Sequence, residues 1–440
     1  MKKLLMALSF VSAVTATTAF AGYKANKVDV KAYPNSNMLI SAEEAVKLIG
    51  KKGVMFVSGD SGDNYKNSHV RGSVEMYAHH LHHSDIMGGM HCAPLYRCIE
   101  DAEKMIGHNG IDNDTLVIAY DDFKGPNATG VYSFFKSFGH KKVKILMGGW
   151  KALKIVDPNA KKVKKLKKTA KKHLKAAKKA KKTIGAYAKN LKRLKKAKAA
   201  KPETKDDVKD LAKKVAKLEK KVAKGDISAE KKAKLEALIK TETAKAKAIQ
   251  GQIYKIAAVV ASPKLSKADA KRISLHDQVA MTQKAEGVTH KHYRINKKKL
   301  NFTNIAGKAA VLHAVNDIKK RGKKSKYVIV DARGMTEIIG ERKMDNVARG
   351  GHVPGATFLE WKHISDAKRG VAFKTKAQLA KVFKKFGITK NKTVYAYCQV
   401  GAGRGSEIIT ALEVMGYKHV KVYTGSWDEW GNDMMLPIKR

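Results

Sequence analysis

Acidic side chains are scarce in this chain: 39 Asp and Glu stand against 90 Lys and Arg, a formal net charge of +51 over 440 residues. The imbalance is local, because lysine is concentrated between about residues 161 and 250. That distribution describes ordinary globular parts joined by a very basic middle, with room for two or three domains. Aromatic residues do not interleave those lysines, which argues against specific nucleic-acid recognition by base stacking. Long apolar runs are missing beyond the first 21 residues, so no later stretch reads as a membrane-spanning helix. Met1–Ala21 has the parts of a secretory signal peptide: Lys2 and Lys3, the apolar Leu4–Val14, and the small-x-small end Ala19-Phe20-Ala21. The expectation is an exported protein of a bacterial periplasm, starting near Gly22. Cysteine is almost absent, and its count of three is odd. In an oxidising compartment the simplest arrangement pairs Cys92 with Cys98 and leaves Cys398 free.

Cys398 lies in the stretch richest in chemistry, Val394–Ser406, which reads Val-Tyr-Ala-Tyr-Cys-Gln-Val-Gly-Ala-Gly-Arg-Gly-Ser. An apolar, β-prone run ends at the cysteine and a glycine-rich turn follows. Ile408, Ile409, Leu412 and Met415 then repeat at helical spacing. This is strand, anion-cradling loop and helix. Loop amides and a helix N-terminus aimed at the sulfur favour thiolate over thiol and activate it as a nucleophile. Gly401, Gly403 and Gly405 let the backbone close around that atom. The plainer alternative is a buried strand-end cysteine beside an ordinary turn; three glycines with Arg404 at this spacing favour the nucleophile.

Taken in order, the chain predicts an α/β fold built twice. Ser41–Leu48 starts as a capped helix with Glu44 at the capping-box position. Val54–Val57 is a strand, His69–Ser73 a turn, Asp101–His108 a helix and Thr115–Tyr120 a buried strand. Ala128–Phe138 is a helix ended by Gly139, and Val143–Met147 a strand before Gly148-Gly149-Trp150. The last part repeats this order: helix Val311–Ile318, strand Tyr327–Asp331, turn Gly351–Ala356, helix Ala377–Phe386, strand Thr393–Tyr397, the cysteine loop and its helix, and strand Val420–Tyr423. Strands alternating with helices imply parallel sheets covered on both faces, and the matching order implies an internal duplication. In the duplication Tyr120 aligns with Tyr397, which puts Asp121 where Cys398 stands. A carboxylate there is no sulfur nucleophile, and Asp122 adds repulsion toward anions.

Between the halves, Lys161–Ala200 is mostly Lys and Ala with apolar marks at helical spacing. Val208, Leu211, Val215, Leu218 and Val222 then step by three and four as a heptad seam. A further helical pattern runs from Ser228 through Ile249, Ile253, Ile256 and Val259 to Pro263. The expectation is a Lys/Ala-rich helical hairpin or small coiled coil, whose seam permits self-association. Its charge suits contact with an anionic surface or polymer, and a solvated spacer is the plainer reading.

Asp331-Ala332-Arg333, Arg349 with Gly351-His352-Val353-Pro354-Gly355-Ala356, Tyr397-Cys398-Gln399-Val400-Gly401, and Tyr423-Thr424-Gly425-Ser426-Trp427-Asp428-Glu429-Trp430-Gly431 resemble the motifs of rhodanese domains. The whole is similar to tandem-domain thiosulfate or 3-mercaptopyruvate sulfurtransferases. Beside the signal peptide read at 1–21 and the basic helical insertion read at 154–299, the resemblance implies an inactive rhodanese-like domain at 36–153, lining one side of the cleft, and a catalytic rhodanese-like domain at 300–440. It implies a Cys398 persulfide fed by a small anionic sulfur donor and discharged to a thiol or cyanide, without a cofactor. Gln399, Val400, Gly401, Ala402, Gly403 and Arg404 would line the loop, with Arg349 a second anion clamp. Arg333 is assigned to a structural pair with Asp331, Glu337 fits a family acidic position, and Trp427 and Trp430 wall the loop.

One departure opens a second reading. Gly403 lengthens the loop to Cys398-x5-Arg404, the spacing of the phosphate loop in cysteine-dependent phosphatases and rhodanese-like arsenate reductases. A wider loop suits a tetrahedral oxyanion. Against it, Tyr397 stands where those phosphatases usually have His, and no general-acid Asp is evident. A third reading is a non-enzymatic periplasmic sulfur- or metal-binding module, for which His79, His80, His82, His83 and His91 beside Cys92 and Cys98 are weak ligand candidates. Their spacing fits no standard structural zinc site.

Overall fold

The computed structural model describes residues 28–81, 99–201, 205–225, 228–262, 269 and 272–440. The proposed leader, the candidate disulfide Cys92–Cys98, and His82, His83 and His91 lie outside the described residues. No helix among the described residues is long and apolar enough to cross a membrane.

The first half contains β1 (Leu39–Ile40), α1 (Ala42–Ala45), β2 (Val54–Ser58), α2 (Gly62–Asn67), β3 (His69–Val70) and β4 (Val74–Glu75). It continues with α3 (Ile99–His108), β5 (Leu116–Tyr120), α4 (Pro126–Ser137), β6 (Val143–Leu146) and α5 (Gly149–Val156). Its sheet has the order β1-β6-β5-β2-β4 with every pairing parallel. After the insertion come β7 (Val259–Val260) and α9 (Leu275–Ala285). The second half follows as β8 (Ile305–Ala306), α10 (Lys308–Arg321), β9 (Tyr327–Asp331), α11 (Met335–Ile338), β10 (Thr357–Phe358), α12 (Lys376–Lys385), β11 (Thr393–Tyr397), α13 (Arg404–Val414), β12 (Val420–Tyr423) and α14 (Ser426–Trp430). Its sheet, β8-β12-β11-β9-β10, repeats the first strand for strand and is again parallel.

The central strands β5 and β11 are buried on both faces, which is why they read as continuous apolar runs without alternation. Ser41 caps α1 with the expected capping box, a contribution of roughly 1 kcal/mol. Both halves share a tyrosine device. Tyr120 OH accepts from Val70 N at 3.0 Å, and Tyr397 OH accepts from Val353 N at 3.0 Å. Each tyrosine thus ties the end of its central strand to a His-Val turn. The turns are edged alike: His69 pairs with Val260 and His352 with Lys439, both antiparallel.

The basic segment Asn159–Ala257 is a compact unit of its own. It contains α6 (Ala160–Lys198), α7 (Lys205–Lys224) and α8 (Ala229–Ile256), and α6 packs along both others. Ala170, Ala177 and Ala180 are buried on the inner face of α6. The helical pattern read as far as Val259 stops at Ile256, and Val259 is already the strand beside the first half's His-Val turn. Residues 272–299, assigned to the insertion by sequence, pack on the first half instead. Glu286 meets His69 Nε2 at 2.9 Å, Lys291 N donates to Gly107 O at 2.9 Å, and Tyr293 OH meets His140 Nδ1 at 3.1 Å. Lysines at 284, 291 and 297–299 made this segment look continuous with the basic middle.

The two halves pack through α4 and α13. Thr129 Oγ1 and Ser406 Oγ stand 3.3 Å apart there. The contact is close enough to require glycine: a Cβ on Gly130 would lie 2.8 Å from the Ala78 Cβ and 3.2 Å from Gly403 N. This interface places the loop after β5 opposite the loop after β11.

Candidate active site

β11 delivers Cys398 to the carboxyl end of the second sheet, and Gln399–Gly403 lead from it into α13. Ligands of open α/β sheets gather at this edge. Gly401 and Gly403 both have positive φ, 83° and 97°. A Cβ on Gly401 would meet Thr424 O at 2.7 Å, so only glycine closes the loop there. The loop is held from behind by the Ser426–Gly431 string. Trp427 N donates to Cys398 O at 3.1 Å and Asp428 N to Gln399 O at 3.0 Å. Ser426 Oγ accepts from Cys398 N at 3.2 Å and donates to Tyr423 O at 2.9 Å. Ser426 is the one non-glycine residue with positive φ among the described residues, at 51°. Such strain persists where the surroundings over-determine it, here directly behind the cysteine. No hydrogen bond among the described residues engages the N–H groups of Gln399, Val400 and Gly401. Cys398 is buried, 1% exposed.

The sequence-designated arginines separate into distinct roles. Arg333 is buried, forks onto Asp331 at 2.7 and 3.0 Å, donates to Gly351 O at 2.7 Å and lies over the Trp427 ring. It is structural, as read. Arg349, read as a second anion clamp, meets backbone here: its guanidinium donates to the carbonyls of Trp430, Gly431, Asp433 and Leu436. Those donors are consumed by backbone far away in sequence. Arg404 lines the cleft and is gripped bidentately by Glu337 at 2.6 and 3.0 Å. Burial works against its charge, but the Glu337 pair and the field of Cys398 outweigh burial and raise its pKa. Burial likewise opposes the Glu337 charge, and Arg404 overrides it and lowers that pKa. The pair is ionised and oriented at neutral pH.

A cleft of about 740 Å³ lies between the halves. Gln399, Val400 and Arg404 form its wall on one side; His79, Asp60, Asp122, Lys124 and Lys151 face them from the other. The first-half counterpart of the cysteine, Asp121, is buried and fills its own loop. Its Oδ2 accepts from Gly125 N at 2.9 Å and from Ala128 N at 3.3 Å. Where the second half leaves three loop amides without a hydrogen bond among the described residues, the first has supplied a carboxyl of its own. Burial, then Asp122 and Asp60, push the Asp121 pKa well above the carboxylate range. Burial opposes the Asp122 charge too, but Lys151 at 2.9 Å and Lys124 at 3.4 Å hold its pKa low. Asp60 occupies the position of Arg333, since Ser58 pairs with Tyr120 as Asp331 pairs with Tyr397. Burial pushes its pKa up to about 6. Glu407, in the first turn of α13, is buried near Asp121 with no partner for either carboxyl oxygen among the described residues. Burial and Asp121 raise its pKa well above the usual value, so it is neutral.

Sequence reasoning singled out His79 only as a metal ligand. No group of three or more His, Cys, Asp or Glu among the described residues could hold a metal ion. His79 stands instead beside the cysteine loop, and a Cβ on Gly403 would lie 3.2 Å from its Nε2. Desolvation, then Arg404, lower its pKa to about 4, although by surface area the residue is exposed on the cleft wall. A residue 319 positions from the loop carries no sequence signal of that proximity; only the alignment of the two halves could have hinted that first-half residues face the cysteine.

Comparison with known proteins gives a consistent picture. The rhodanese-like domain matches twice, at residues 41–155 and 314–433. A thiosulfate sulfurtransferase of Pseudomonas aeruginosa is 38% identical over 109 residues, 25% of this chain and 38% of that protein. The sulfur carrier protein TtuD of Thermus thermophilus is 32% identical over 124 residues, 27% of this chain and 43% of that protein. The chain spans about two fifths of the length of the curated relatives it matches. Among solved structures, the anaerobic ergothioneine biosynthesis enzyme from Chlorobium limicola, in complex with trimethyl histidine, shares the fold with a TM-score of 0.51 at 16% identity. That match covers 92% of this chain and 71% of the other.

Proposed function

The chain belongs to the rhodanese family, and from that premise we propose that it is a sulfurtransferase carrying sulfane sulfur on Cys398. The observation that supports this most is the loop itself. A lone cysteine at the end of the central strand is enclosed by Gln399–Gly403, with three amides pointing to no partner among the described residues. The Cys398 thiolate attacks the outer sulfur of thiosulfate. A new S–S bond forms, the S–S bond of thiosulfate breaks, and sulfite leaves with the electron pair. With 3-mercaptopyruvate the C–S bond breaks and pyruvate leaves after taking up a proton. A thiol or cyanide then attacks the terminal sulfur and Cys398 departs as thiolate, which makes the kinetics ping-pong. The loop amides hold the anionic persulfide, and Arg404, oriented by Glu337, draws the donor's charge through its remaining N–H donors. Burial of Cys398 favours a small donor such as thiosulfate.

The Cys398-x5-Arg404 spacing supports a second reading, a cysteine-dependent oxyanion enzyme. The test is a steady-state comparison of native chain and Cys398→Ser. One arm follows thiocyanate from thiosulfate and cyanide, the other release from an aryl phosphate. Thiocyanate formation lost in the variant, without phosphate release, supports sulfur transfer; Cys398-dependent phosphate release alone supports the second reading. We also propose that the basic insertion contacts an anionic surface or polymer, and that export delivers the protein to a periplasm.

A further inference from the structure

We propose that His79, supplied by the otherwise inactive first half, is the general base of sulfur discharge: it takes the proton of an acceptor thiol as that thiol attacks the persulfide on Cys398. The proposal rests on the sulfur-transfer reading above. His79 reaches the loop from across the domain interface, its Nε2 3.2 Å from where a Cβ on Gly403 would sit. The glycine that lengthens the loop is thus the one that leaves room for the imidazole. On the other side of the ring, Nδ1 lies 3.0 Å from Tyr77 OH, and the two rings stack with centroids 4.9 Å apart. The role requires the Nδ1–H tautomer, with Tyr77 OH accepting, which leaves the Nε2 lone pair on the side of the loop.

Other histidines near the two turns are committed elsewhere. His69 is buried between Tyr65 O at 2.8 Å and Glu286 at 2.9 Å, and His352 Nδ1 meets Ile338 O at 2.9 Å. Around His79 stand Arg404 from α13, His80 and Tyr77 from its own segment, and Asp60, Asp122, Lys124 and Glu337 around the same cleft. Desolvation, then Arg404, disfavour the charged form of the free imidazole, and a thiolate forming beside it raises its proton affinity. The step balances. The thiol proton moves to Nε2, the acceptor sulfur bonds to the terminal sulfur, and the Cys398–sulfur bond breaks with its electron pair on Cys398. The imidazolium then gives its proton to that thiolate. Cyanide attacks as a preformed anion and needs no base.

The experiment loads the full chain with thiosulfate, verifies the added sulfur by intact mass, and follows single-turnover discharge to a small thiol and to cyanide. His79→Gln is expected to load normally, to discharge to the thiol about 100-fold more slowly, and to discharge to cyanide within twofold of native. The pH dependence of thiol discharge should steepen in the variant toward that of thiolate availability, and Tyr77→Phe should show a smaller loss confined to the thiol. Unchanged thiol discharge in His79→Gln, equal slowing with both acceptors, or a thiol-specific loss found in Asp60→Asn instead would each overturn the assignment. Failure of the native chain to acquire sulfur would remove the sulfur-transfer reading and this role with it.

Discussion

At the scale of single residues, Glu407 is the side chain whose cost is easiest to measure. Its folded pKa lies well above the ordinary value of 4.5, because it is buried and faces Asp121. The native state therefore holds a proton that the unfolded chain releases. The stability this proton supports is complete below about pH 4.5 and declines as pH rises toward the folded pKa, by at most about 1.4 kcal/mol per pH unit for one proton. Glu407→Gln removes that slope. Denaturant midpoints measured between pH 5 and 8 should fall less steeply in the variant than in the native chain; parallel curves would show that the group is solvated. Arg349 calls for a different test. Its four backbone partners make it a brace, so Arg349→Lys should lose roughly 2–4 kcal/mol of stability while the folded fraction keeps its KM for the donor. A KM rise without loss of stability would restore the clamp role. Cys398 stood out in the sequence because strand, glycines and helix fall within thirteen residues, whereas its backing by Ser426–Gly431 and the approach of His79 come from elsewhere in the chain. Arg349 was not, because arginine near a glycine turn looks the same whether it meets an anion or a carbonyl from the chain end.

At the scale of elements, the long strands and helices were legible from period and caps. The two-residue strands β1, β4, β8 and β10 were not, because a pair of residues has no period; they exist only by pairing with a longer neighbour. The segment 272–299 was read as part of the insertion for a related reason. Its attachment is a set of single contacts, Glu286 with His69 among them, which composition does not reveal. α6 shows the converse, an element fully visible in sequence yet electrostatically strained. It carries no Asp or Glu in 39 residues, so lysines three and four apart repel along its exposed face. Helicity at 222 nm and the melting temperature of the insertion's transition should rise with added salt, and rise further at equal ionic strength with inorganic polyphosphate. No response to either would mean that packing on α7 and α8 alone sets its stability.

At the scale of the whole molecule, the duplication was readable from the repeated order of strands, the His-Val turns and the Asp121–Cys398 alignment. That the first half lines one side of the cleft was implied by the family resemblance; which residues do so was not, since it depends on α4 meeting α13 and on Gly130 and Gly403 letting them approach. One half leaves three loop amides without a hydrogen bond among the described residues, while the other fills the equivalent loop with Asp121 and turns the surrounding residues toward its partner's cleft. The most direct measurement is the intact mass of the native chain, of Cys398→Ser and of Asp121→Asn after brief exposure to thiosulfate and removal of excess reagent. The expected result is one added sulfur on native and Asp121→Asn chains, and none on Cys398→Ser. Sulfur retained by Cys398→Ser, or absent from the native chain after thiosulfate and 3-mercaptopyruvate alike, would contradict a persulfide carried on Cys398.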